Sequence, residues 1–94
     1  MMEHLSIKEV HDRLQELSGW DMNGFSEITK TFEFPSIKEA MEFVNKVAEE
    51  SERMNHHPDI KVNFKRVTLN LATHDAKGIT HLDFKLAKVI EQLV

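Results

Sequence analysis

A chain of 94 residues without cysteine makes one domain with a small core, no disulfide framework and no thiolate to act as ligand or nucleophile. Its 12 basic and 16 acidic residues leave a formal net charge of -4 and are interspersed, which argues against the clustered basic face that nucleic acid needs. The start, MMEHLSIKEV, has no apolar signal core, and no stretch approaches the roughly 20 apolar residues that cross a bilayer, so a cytoplasmic protein with no membrane partner is expected.

Ser6 followed by Glu9 has the spacing of a capping box, and Ile7, Val10, Leu14 and Leu17 recur at helical spacing until Gly19, which predicts a first helix. His4 and His11 fall at its start or among its polar residues and are expected in solvent. Trp20 to Met22 and the alternating Ile28 to Phe34 predict two strands joined through Asn23-Gly24, a pair that supplies the positive φ of tight hairpins. Ile28, Phe32 and Phe34 share one face and are expected in the core rather than stacked on a cofactor. After Pro35, Ser36 and Glu39 repeat the capping pattern. Ile37, Ala40, Met41, Val44, Val47 and Ala48 then predict an amphipathic second helix running to about Asn55.

The stretch from Glu52 to Asp83 holds four of the six histidines, with carboxylates at both ends. Chemistry is expected there, because imidazole, with an unperturbed pKa of about 6.5, is the side chain that gives or takes a proton near neutrality. Pro58 turns His57 away from helical geometry, so the pair His56-His57 sits where the second helix hands over to a strand. Ile60, Val62 and Phe64, then Val67, Leu69 and Leu71, alternate with polar residues and predict a second hairpin turning near Lys65-Arg66. A hairpin closed there returns His74 beside residues 57 to 59, so three imidazoles converge by strand pairing. Thr80 and Asp83 form a third cap-like pair, and Leu82, Leu86, Val89, Ile90 and Leu93 predict a final helix. The order α-β-β-α-β-β-α fits an α+β domain over residues 1–94: a four-stranded antiparallel sheet with helices packed on one face. With so small a core, self-association is the expected source of further stability.

Three readings of the histidines compete. They could be polar helix-end and strand-end residues, with Asp83 only capping a helix. They could join Glu52 or Asp83 as zinc or iron ligands, but no H-E-x-x-H pair lies on one helical face, and adjacent histidines seldom bring both rings onto one ion. Or they could run metal-free acid-base catalysis, in which each well-placed group is worth about 10²–10⁴ in rate, enough for an elimination with a modest barrier. No serine-histidine-acid motif, glycine-rich phosphate loop or dinucleotide fingerprint appears, which disfavours hydrolase, kinase and dehydrogenase readings.

The combination E-R-M-N-H-H-P at 52 to 58, Phe64, T-H-D at 73 to 75 and D-F-K-L-A at 83 to 87 resembles the signature of the pterin-4a-carbinolamine dehydratases. Gly19-Trp20, the F-x-F strand and the terminal V-I-E-Q-L helix extend the resemblance over nearly the whole chain. It implies loss of water from a 4a-hydroxytetrahydropterin to give the quinonoid dihydropterin, as in tetrahydrobiopterin recycling, with no cofactor and no metal. It also implies a homodimer or homotetramer of the sheet-and-helix fold predicted above. Carried over by position, His56 and His74 are the implied acid-base pair and His57 the residue that holds and polarises the pterin. Glu52 and Asp83 are the implied orienting carboxylates, and Pro58 sets the backbone beside them. Ile60 stands where many members have tryptophan, which removes an aromatic wall beside the pterin. Lys85 stands where asparagine is familiar, at an oligomer contact or the site rim. The reading from another class is a non-catalytic interaction module of the same fold.

Overall fold

Ser6 opens the first helix as its spacing to Glu9 predicts: its hydroxyl accepts from the Glu9 N–H at 3.1 Å, and the Glu9 carboxylate accepts from the Ser6 N–H at 3.0 Å. The computed structural model describes residues 3–94; Met1 and Met2, the first residues searched for a signal core, lie outside the described residues. Helix α1 spans Ile7–Leu14, β1 Asp21–Asn23, β2 Glu27–Glu33, α2 Ile37–Met54, β3 Asp59–Asn63, β4 Arg66–Leu71 and α3 His81–Glu91, with a 3-10 turn at His74–Ala76. The four strands form one antiparallel sheet in the order β1-β2-β4-β3. The predicted α+β class and element order are therefore those of the molecule.

Boundaries differ where local chemistry beats periodicity. Helix α1 ends at Leu14 rather than at Gly19, because Gln15, Glu16 and Leu17 donate to carbonyls only three residues back and tighten the chain out of the helix. Leu17 is buried all the same. In the first hairpin Asn23 still pairs with Glu27, so the loop is Gly24-Phe25-Ser26, and glycine alone supplies the positive φ, +67°. In the second, Asn63 pairs with Arg66, so the chain turns at Phe64-Lys65, one residue before the predicted place. Phe64 adopts φ +56° and is 75% exposed, not a core residue as its alternation with Ile60 and Val62 suggests.

The core joins Ile28 and Phe32 of β2 and Val67, Leu69 and Leu71 of β4 to Ala40, Phe43 and Val47 of α2, with Phe84, Leu86 and Ile90 of α3 and Val10 of α1. Helix α2 packs on β4 and α3. Edge strand β3 is covered less well: Ile60 is partly buried, and Val62, opposite the fully buried Val67, is 40% exposed. Among the described residues, no helix is long and apolar enough to cross a membrane.

Candidate active site

Helix α2 stops at Asn55, which takes the left-handed conformation at φ +50° that closes many helices. The His56 N–H then bonds back to the Ser51 carbonyl at 3.0 Å, and Asn55 N–H to Glu52 at 3.2 Å. These closing bonds fix where His56 leaves the helix. Its side chain turns inward, with only 10% exposed, and its Nε2 lies 2.6 Å from Oδ1 of Asp83, whose side chain is fully buried.

Asp83 is the third residue of α3. Its Oδ2 accepts the Thr80 N–H at 2.9 Å, completing the cap that the sequence predicts, and also the Thr73 hydroxyl at 2.9 Å. One carboxylate therefore does two jobs: Oδ2 anchors the start of α3 and the segment after β4, while Oδ1 faces His56. Burying a carboxylate is costly unless its oxygens are filled by donors, and here each oxygen has one or more partners.

His57 follows a different path. It is 51% exposed, and its Nε2 stands 3.4 Å from Oε1 of Glu52, itself 80% exposed, on the last turn of α2. Pro58 next to it is half-buried and starts no helical bond, and β3 opens one residue later.

His74 does not reach this junction by strand pairing. Strand β4 ends at Leu71, and the register that pairs Asp59 with Asn70 would, if continued, set Thr73 opposite His56. Thr73 and Gly78 then bridge the mouth of a turn, Thr73 N–H to Gly78 O at 2.8 Å, and His74 opens the 3-10 turn inside it. Exposed His74 lines a cleft of about 330 Å³ together with Thr73, Glu27 and Lys77. Neither His56 nor His57 lines that cleft, so the two parts of the predicted constellation are joined through Thr73, which touches Asp83 on one side and borders the cleft on the other.

Two further contacts join residues that local spacing does not bring together. The hydroxyls of Thr73 and Thr80 lie 2.7 Å apart, both buried, against Asp83. His4, expected in solvent, is exposed but lies over the turn: a Cβ on Gly78 would stand 2.8 Å from the Cβ of His4, and Leu5 N–H bonds Ile79 O at 2.7 Å. Among the described residues, no three histidine, aspartate or glutamate side chains are grouped as metal ligands.

Comparison with known proteins gives one answer along the whole length. A family model described as pterin 4 alpha carbinolamine dehydratase matches residues 3–93. Relatives provisionally named pterin-4-alpha-carbinolamine dehydratase are 45% identical in Sulfurisphaera tokodaii, with 99% of each chain covered, and 46% identical in a Roseiflexus species, with 100% of each covered. A crystal structure described as a transcriptional coactivator/pterin dehydratase from Brucella melitensis superposes with a TM-score of 0.92 at 33% identity, covering 97% of this chain and 98% of that one. A pterin dehydratase-like protein described as a RuBisCO assembly factor in the alpha-carboxysome shares the fold at a TM-score of 0.69 and 22% identity, over 80% of this chain and 88% of that one. A match running from residue 3 to residue 93, together with relatives about 45% identical over the whole chain and a fold shared at a TM-score of 0.92, places this chain in the pterin 4 alpha carbinolamine dehydratase family.

Proposed function

We propose that this protein catalyses the dehydration of a 4a-hydroxytetrahydropterin to the quinonoid dihydropterin, with histidines as the proton donor and acceptor. The observation that carries the reading is the His56–Asp83 pair, 2.6 Å apart at the end of α2 and tied through Thr73 to the segment that bears His74. A carbinolamine loses water when a proton reaches its hydroxyl and another leaves the adjacent ring nitrogen. The C–O bond breaks with its electron pair going to the departing water, and the N–H pair becomes the new C=N bond. The products are one quinonoid ring and one water, with no change of redox state.

His56 and His74 are the acid-base pair in this scheme, His57 holds and polarises the pterin, and Glu52 and Asp83 orient the rings. Two such groups at about 10²–10⁴ each supply a sufficient acceleration for an elimination already facile in water. Tetrahydrobiopterin recycling in the cytoplasm, by a homodimer or homotetramer of this single domain, is the setting we assign to it.

The test is the dehydration rate of carbinolamine generated in situ by an aromatic amino acid hydroxylase, measured with purified protein before and after treatment with a chelator. Acceleration above the spontaneous rate that survives metal removal is the expected result. Protein that leaves the spontaneous rate unchanged would replace this reading with a non-catalytic interaction module of the same fold.

A further inference from the structure

Resting on the dehydratase reading, we infer that Thr73 and Thr80 form a directed hydroxyl relay that positions Asp83 and, through it, fixes which nitrogen of His56 faces the substrate. A hydroxyl carries one proton and can donate it once. Thr73 gives its proton to Asp83 Oδ2, at 2.9 Å. In the 2.7 Å contact between the two hydroxyls Thr73 is therefore the acceptor and Thr80 the donor. Thr80 Oγ1 in turn accepts the Leu82 N–H at 3.2 Å, so the chain runs from the α3 backbone through Thr80 and Thr73 into the carboxylate.

The direction matters because it fills Oδ2 completely. With the Thr80 N–H and the Thr73 hydroxyl both on Oδ2, the plane of the carboxylate is set, and Oδ1 is left to His56 alone. An acceptor-only carboxylate requires the proton on the histidine nitrogen that faces it. Whenever its ring is neutral, His56 is thus held as its Nε2–H tautomer, so Nδ1 is the nitrogen left to exchange a proton with substrate. Thr73 and Thr80 are positioning residues: neither handles the substrate's protons, and both act through Asp83. Thr73, 7% exposed, and Thr80, 1% exposed, are too buried to be bulk-water hydrogen bonders, which leaves this relay as their polar role.

The test combines nitrogen-15 NMR of the His56 ring in ligand-free protein with steady-state kinetics of wild type, Thr73→Val and Thr73→Ser, all well below their unfolding temperatures. Wild type is expected to show a slowly exchanging Nε2–H, with Nδ1 the nitrogen that lacks a proton in the neutral ring. Thr73→Val, nearly isosteric but without the hydroxyl, should lose the slow exchange of that proton. Its kcat should fall about tenfold, the scale of one hydrogen bond to a charged group, with KM within about twofold. Thr73→Ser should restore both. A purely structural Thr73 would lower the melting temperature and leave the His56 signal and kcat alone; that outcome overturns the relay. So does a neutral wild-type His56 ring that carries its proton on Nδ1. If wild type shows no dehydration at all, the functional reading falls, while the NMR arm still decides the relay by itself.

Discussion

Two neighbouring residues, His56 and His57, leave the same helix end into opposite environments. The first is almost buried, 2.6 Å from a fully buried carboxylate that three donors share; the second is half exposed, 3.4 Å from a carboxylate that is itself in water. Exposed charge pairs are worth about 0–1 kcal/mol, because water screens them and both side chains lose freedom in meeting. Buried polar groups are costly once unpaired, so they stay fixed. The inner half of the junction is therefore built for a set orientation and the outer half for adaptability, which suits a proton-handling residue on one side and a ligand-holding residue on the other.

The sharpest way to break this contrast is to remove the inner carboxylate. Asp83→Ala should cost about 3 kcal/mol in denaturant unfolding, because His56, the Thr73 hydroxyl and the Thr80 N–H all lose their acceptor in a dry site. A loss below about 1 kcal/mol would mean that the inner half is no better fixed than the outer one. A smaller effect belongs to the outer pair. A double-mutant cycle on Glu52→Ala and His57→Ala should give a coupling of about 0–1 kcal/mol that fades as salt is added. Coupling that persists in high salt would make the outer pair a fixed element too.

The smallest effect concerns the two capping boxes, one exposed and one buried. Hydrogen bonding by Ser6, through its backbone N–H first and its side chain second, holds the Glu9 carboxyl below its ordinary value of 4.5. Because the folded value is the lower one, this contribution is fully present above pH 4.5 and is lost as pH falls through the lowered value. The stability difference between wild type and Glu9→Gln should therefore be present at neutrality and vanish in acid. A difference that is flat across that range would remove Glu9 as a cap.

Much of this was legible from residues alone, for reasons that can be named. Ser6 with Glu9 and Thr80 with Asp83 carry their partners three residues away, so their caps follow from spacing. Ser36 forms only half of the pattern: its hydroxyl accepts from Glu39 N–H. The helix-to-strand junction at His56 is marked by Pro58, and the two hairpins give the β1-β2 and β3-β4 pairings, whereas the β2-β4 pairing that joins them into the order β1-β2-β4-β3 has no local signal. The turn at Phe64 was not legible, since a non-glycine residue at positive φ leaves no local mark, and it shifted the register so that Asp59 pairs with Asn70 and His74 is not carried beside residues 57 to 59 by strand pairing. The threonine pair was hidden for another reason. Thr73 and Thr80 meet where the Thr73–Gly78 bridge folds the intervening turn back on itself, and His4, far away in sequence, lies over that turn.

The most direct measurement is kcat and KM for carbinolamine dehydration in wild type, His56→Ala, His74→Ala and His57→Ala. Loss of a proton-handling group lowers kcat, and loss of a binding group raises KM. His56→Ala and His74→Ala should each lose about 10²–10⁴ in kcat, and His57→Ala should act mainly on KM. Wild-type kcat in both His56→Ala and His74→Ala would contradict catalysis at this junction.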